Sequence, residues 1–220
     1  MHRPNCDSSP QNGKSGAGGE DAPGAGRSAH RIEHVARMHA EIAAYQAGEL
    51  TEAEREDLQL MREEEKIARD VYVHLYEHWG LRPFGNIIGS EQAHMDMMLA
   101  LLEHYDLPDP AHNLQVGKFH DAALQKLHDN LLEKGLKTRE DAIKVGLLIE
   151  ELDIADLQKA RNRTAKPEII AVYAELERGS RNHMRAFYRW KQHLGIGYQA
   201  THLPQDELER IALSDHEVCS

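Results

Sequence analysis

Cysteine is almost missing from this chain. There are two, Cys6 and Cys219, one near each end. Two such residues cannot make a disulfide framework, and no CxxC pair exists for zinc or thiol redox chemistry. Aromatic residues are scarce at 5%, which argues against an aromatic-rich β sandwich. No apolar run approaches the roughly 20 residues a membrane helix needs, and Met1 to Asn5 opens without the apolar core of a secretory signal. The expected compartment is the cytoplasm, with no membrane partner. Positive charge is also short: Lys and Arg total 26 against 37 Asp and Glu, a net charge of −11. A field of that sign repels phosphate backbones, so a general nucleic-acid role is excluded. Alternating strand periodicity is absent too.

Helical periodicity is what the chain has. Residues 1–29 hold six of its 16 glycines and three of its eight prolines and are expected to be a disordered tail. An accessory helix is expected within 30–48, on Ile32, Val35, Ala36, His39 and Ile42. The main domain is expected over 50–213, followed by a short tail, 214–220. Thr51-Glu52-Ala53-Glu54 is a capping-box sequence that opens a helix running to Trp79, with Leu58, Met61, Ala68, Tyr72 and Leu75 as its apolar stripe. Pro83-Phe84-Gly85-Asn86 reads as a turn, with a second helix from Asn86 to Tyr105. Leu107-Pro108-Asp109-Pro110 ends it. A long connection follows, with a short helix of its own on Leu124, Leu127 and Leu131, and Gly135 as its C-cap. Thr138 caps a helix to Arg161, and Pro167 starts another to Leu194. A last short helix follows Pro204. The fold class is therefore all-α: an antiparallel four-helix bundle of two hairpins joined by one crossover-like link, with accessory short helices.

The informative residues are polar ones placed where the apolar stripes should continue. At about 100° per residue, Ile87, Met95, Met98 and Leu102 all fall within roughly 40° of Glu91, and His94 lies one turn away on the same side. Glu91-x-x-His94 is the Glu-x-x-His spacing of di-iron and di-manganese bundles. His183 is centred among Val172, Leu176, Phe187 and Trp190. Glu150 and Asp153 face inward on the 139–161 helix, with Glu151 nearer the edge. In Arg62-Glu63-Glu64-Glu65-Lys66, Glu63 points to water, and periodicity does not choose between Glu64 and Glu65. Tyr72 and Tyr105 point inward, their hydroxyls within reach of a carboxylate. His74 and His78 fall on the outer face as solvated histidines. All 15 histidines are too many to be ligands.

A single inward acid is ordinarily satisfied by a neighbouring tyrosine, arginine or amide. Four unpartnered ones would cost several kcal/mol each. Glu65 (or Glu64), Glu91, Glu150 and Asp153 carry four negative charges, which two divalent cations would balance. With His94 and His183 the donor set is oxygen and nitrogen without thiolate, which favours iron or manganese over structural zinc. The site also has halves, since Glu65 and Glu150, and His94 and His183, are separated by similar lengths of chain.

Over about residues 50–213 the sequence resembles the ferritin-like superfamily, rubrerythrin-type bundles in particular, and most closely a bacterial ferritin-like family known as a domain of unknown function. The carrying segments are Glu63 to Tyr72, Ser90 to Met95, Ile149 to Ile154 and Gly179 to His183. In rubrerythrin-like proteins the first-helix Glu is followed by Ala, Arg and Tyr at the spacing of Glu65, Ala68, Arg69 and Tyr72, which favours Glu65 over Glu64. The departure is Ser180, where the fourth helix of a symmetric site has Glu. Asp153 is the residue that could compensate. The resemblance implies a metal-binding protein with two iron ions, or iron and manganese, held by Glu65, Glu91, His94, Glu150, Asp153 and His183. It implies an oxidoreductase acting on O2, peroxide or Fe2+, with a separate electron-donor protein and a homodimeric assembly as expected partners. The alternative is a non-enzymatic helical binding module with a vestigial or empty site.

Overall fold

The computed structural model describes residues 25–218, and side chains from residue 29. The tail expected over 1–29 lies largely outside the described residues, as do both cysteines. Among the described residues there are seven helices and no strand: α1 (Ala25–Ala43), α2 (Glu52–Trp79), α3 (Arg82–His104), α4 (Ala122–Gly135), α5 (Arg139–Arg161), α6 (Pro167–His193) and α7 (Gln205–Leu213). The protein is an all-α helical bundle, and none of these helices is long and apolar enough to cross a membrane.

Local chemistry sets the helix ends. Thr51 and Glu54 close a reciprocal capping box: the Glu54 N–H donates to Thr51 Oγ1 at 3.2 Å and the Thr51 N–H to Glu54 Oε2 at 2.8 Å. Gly80 ends α2 at φ 62°, a left-handed conformation that glycine adopts without steric cost. Thr138 caps α5 through the Asp141 N–H. Three boundaries differ from the sequence reading. α3 begins at Arg82, because Pro83 in a first helical turn gives up only an amide that would have no partner there. Gly135 is the last residue of α4 and Leu136 is the cap. α1 starts at Ala25, ahead of its first apolar stripe residue.

α2 packs on α3, and α5 on α6; α2 also lies against α5, and α3 against α6. Cross-contacts fix the directions. Asp57 near the start of α2 pairs with Arg163 just past α5, while Tyr72 meets Gly146 and Glu150. Phe84 early in α3 stacks with Phe187 late in α6, while Tyr105 after α3 bonds Glu168 early in α6. Neighbouring helices are therefore antiparallel. The link between α3 and α5 must travel the length of the bundle, and it carries α4 on the way. α1 covers α3, and α7 packs on α6.

The apolar core is in two parts. One holds Ile67, Val71, Tyr72, Phe84, Ile143 and Phe187, the three rings packed at centroid distances of 5.1–5.5 Å. The other holds Leu58, Met61, Met98, Leu102, Leu157, Val172 and Leu176. Each such side chain stabilises the fold by about 1.5–3 kcal/mol. On each of the four long helices the inward acids and imidazoles (Glu65, Glu91, His94, Glu150, Asp153 and His183) fall between the two parts.

The crossover link is held to α2 by buried charge. Arg62 donates from Nε and Nη2 to the two Asp109 carboxylate oxygens, both at 3.0 Å, and from Nη1 to the Met95 carbonyl. Fully buried Asp70 accepts from Lys66, from Arg69 and from the Gly117 N–H at 2.8 Å. Lys66 also donates to the Gln115 carbonyl and lies over the Phe119 ring. This cover explains a correction: Glu63, expected to face water, is only 7% exposed, because the link crosses the face it occupies. Asp70→Ala leaves Lys66 buried without its carboxylate. It should cost about 3–5 kcal/mol in urea denaturation, whereas Glu133→Ala, which removes an exposed pair with Lys137, should change stability by less than about 0.5 kcal/mol.

Candidate metal centre

Each of the four long helices delivers side chains to the layer between the two apolar clusters. Glu65 comes from α2, Glu91 and His94 from α3, Glu150 and Asp153 from α5, and His183 from α6. All six are at most 3% exposed. Five of them form two triads whose ligand-type atoms converge: Glu65, Glu91 and His94, and Glu91, Glu150 and His183. Glu91 belongs to both.

Its geometry is specific. Glu91 Oε2 lies 3.0 Å from His94 Nδ1, and Glu91 Oε1 lies 2.9 Å from His183 Nδ1. Neither oxygen is aligned for a hydrogen bond. His94 Nδ1 also reaches Glu65 Oε2 at 3.0 Å, and His183 Nδ1 lies 3.4 Å from Glu150 Oε2. The two imidazoles are nearly parallel, their centroids 5.6 Å apart. Glu150 Oε2, Asp153 Oδ2 and both ring nitrogens of His183 are buried without a hydrogen-bond partner. Buried polar atoms are nearly always satisfied, so this concentration of exceptions at one place marks the layer. The Tyr72 hydroxyl donates to Glu150 Oε1, as the inward tyrosine of the sequence suggests, while Tyr105 reaches Glu168 at the bundle end.

Asp153 belongs to neither triad, although its carboxyl is close enough to feel Glu65, Glu150 and Glu91. Ser180 is fully buried and donates back to the Leu176 carbonyl, turned to its own helix. Glu64 is a buried acid outside the triads, with Oε2 unpartnered and Asp156 and Asp57 as charged neighbours. Glu151, expected near the edge, is fully buried. It accepts from the Thr201, His202 and Leu203 amides and the Tyr198 hydroxyl, so it is a fastener for the segment before α7. His74 and His78 lie away from the layer, half-exposed and exposed.

Electrostatics follow from burial and mutual contact. Burial lifts the Asp153 and Glu65 carboxyls above the usual range, and neighbouring acids add to that for Asp153. Glu150 is lifted to about 7 by burial, against the pull of His183. Burial opposes protonation of His94, but Glu65 and Glu91 outweigh it and push the ring up to about 10. His183 is raised as well, by Glu91 and Glu150 against its burial. Glu91, between two imidazoles, is held far below the carboxylate range despite its burial. Without metal, the layer is balanced by protons on both histidines and on some of the carboxyls.

One contributor is silent in the sequence. A Cβ on Gly179 would fall 2.3 Å from His94 Nε2. The bare backbone of α6 therefore makes the room in which the His94 ring lies, with Nδ1 turned to the carboxylates. Glycine to alanine in a helix ordinarily stabilises by about 0.4–1 kcal/mol. At Gly179→Ala the sign should reverse, with a loss of about 1–3 kcal/mol in thermal denaturation from overpacking against His94.

Residues 54–215 match the family described as an uncharacterized protein domain, DUF2202, and the chain belongs to that family. It is 48% identical over 168 residues to the uncharacterized protein MJ0754 of Methanocaldococcus jannaschii, covering 76% of this chain and 91% of that protein. The crystal structure of hypothetical protein MJ0754 from Methanococcus jannaschii DSM 2661 is similar to this fold with a TM-score of 0.75, at 48% identity, covering 77% of this chain and 97% of that chain. The likeness carries family and fold; the chemistry has to come from the site.

Proposed function

We propose that the buried layer is a ferritin-like, carboxylate-bridged centre for two metal ions, iron or iron with manganese. We propose that the protein is an oxidoreductase acting on O2, peroxide or Fe2+. The observation that carries this reading is Glu91, whose two oxygens each lie against a different imidazole without a hydrogen bond, in a layer rich in unpartnered donors. The residues fit such a pair. Glu65 and His94 would hold one ion, Glu150 and His183 the other, and Glu91 would span both. Asp153 would supply the negative charge that Ser180 does not. Oxygen and nitrogen donors without sulfur suit iron and manganese.

Bound metals would supply the redox capacity that no side chain here has. The chain's own contributions are positioning and exclusion. Tyr72 fixes one oxygen of Glu150, which leaves Oε2 directed at His183. Gly179 sets the ring of His94. The aromatic cluster on one side and the Met and Leu cluster on the other keep bulk water from the layer. The protons on His94 and His183 must leave before either nitrogen can act as a ligand. Reducing equivalents would come from an electron-donor protein, because the sequence carries no cysteine cluster of its own.

Protein purified without a histidine tag should retain or take up about two metal ions per chain by elemental analysis, and its melting temperature should rise with Fe2+ or Mn2+. Glu91→Ala should abolish that rise, and Asp153→Ala should lower stoichiometry with helicity intact. Without metal, Asp153→Ala should be neutral or more stable, since a buried acid repelled by its neighbours is lost, whereas Glu91→Ala should lower stability, since His94 and His183 lose the carboxylate between them. No uptake and no thermal response in the parent would end the metal reading in favour of the non-enzymatic module.

Acidity supplies a second check. Because His94 titrates near 10 and His183 above its usual value, both are protonated at neutral pH and metal must displace those protons. Apparent affinity should therefore keep rising with pH through neutrality towards about pH 10, where His94 gives up its proton. Calorimetry in buffers of different ionisation enthalpy should record proton release on binding.

A further inference from the structure

His74 on α2 and His128 on α4 meet over the crossover link, away from the buried layer. Their rings are 6.1 Å apart between centroids, in an edge-to-face arrangement. Between them lies Gly117, at φ 73°, whose N–H is tied to Asp70 Oδ2. A Cβ on Gly117 would sit 3.3 Å from His128 Nε2 and 3.4 Å from His74 Nε2. Both Nε2 atoms therefore lie within 3.4 Å of one point beside Gly117 that a side chain would otherwise occupy.

The His128 ring is built as a ligand is built. It is 3% exposed, and Phe119 packs on it at 5.4 Å. Its Nδ1 lies 3.0 Å from Asp129 Oδ1. A carboxylate that accepts a hydrogen bond from Nδ1–H holds the proton there and leaves the lone pair on Nε2, the arrangement that orients metal-binding histidines. His128 Nε2 is nonetheless buried without a partner. His74 is 38% exposed in its side chain, so its ring borders solvent.

We propose that His74 and His128 form a second metal site, taking one divalent transition-metal ion of the zinc, copper or nickel type through the two Nε2 atoms, with water completing the coordination. Imidazole suits these ions. Such an ion would join α2 to α4 across Gly117 and so fasten the middle of the crossover link. The inference does not depend on the reading of the buried layer, since none of its residues is shared with the two triads.

The test uses the full chain, untagged, carrying Glu91→Ala to disable the core, with Zn2+ as the probe. Zinc retained after dialysis and the zinc-induced rise in melting temperature are measured with and without His74→Ala. The expected result is one equivalent retained, lost together with the thermal shift in His74→Ala. That side chain is partly exposed, and its removal leaves the fold intact. His128→Ala should do the same. Asp129→Ala, at a position 63% exposed, should weaken zinc by about 10- to 100-fold without abolishing the site. Zinc retention and a thermal shift unchanged in His74→Ala would overturn the proposal, as would a parent that retains none.

Discussion

Four carboxyls and two imidazoles buried in the middle of a helical bundle set the terms for everything around them. Removing one ion from water costs several kcal/mol even after relaxation, and a domain of this size is stable by only about 5–15 kcal/mol. The layer is compatible with folding only because opposite charge is placed inside it. In the metal-free molecule that charge is carried by protons on His94 and His183, and Glu91 stays ionised between them. The two apolar clusters and the closely packed rings of Tyr72, Phe84 and Phe187 then supply the stabilisation that the layer cannot. A core divided in this way is poorly suited to stability alone, which is why the layer is the place to look for chemistry.

The main architecture was legible because it depends on local signals. Thr51 and Thr138 are followed by the acids that complete their caps, and the apolar stripes repeat at helical spacing. Glu91 and His183 stood out because each sits at the centre of a stripe that should be hydrophobic. What was not legible depends on residues far away in the chain. Glu63 is covered by the crossover link, and Glu151 is buried by amides some 50 positions later. Periodicity on one helix carries no information about either. Gly179 is opaque for the same reason: its lack of a side chain matters only once His94 is known to lie opposite. Pro83 misled in the other direction, since a proline within a Phe-Gly-Asn run has the composition of a turn and yet is at home in a helix's first turn.

The charged run on α2 shows how closely the two uses of buried charge are interleaved. Arg62, Lys66 and Asp70 face the crossover link, while Glu65 faces the layer. The link residues Asp109, Gln115 and Gly117 thus hold the outside of the helix whose inside carries a candidate ligand. Rotation of α2 that would withdraw Glu65 would have to break the Arg62–Asp109, Lys66–Gln115 and Asp70–Gly117 contacts as well. Rigidity of the site is in this sense supplied from its back.

The two triads are unequal in where their members come from. Glu65, Glu91 and His94 all belong to the α2–α3 hairpin. Glu150 and His183 belong to the α5–α6 hairpin, which has Ser180 where a third ligand would make it self-sufficient, and so it borrows Glu91. A ribosome releases the chain from its N-terminus, and helical hairpins are local structures that form early. One whole triad is therefore present in the nascent chain before the residues that complete the other have been made, so the two groups of side chains that share Glu91 are assembled in a fixed order.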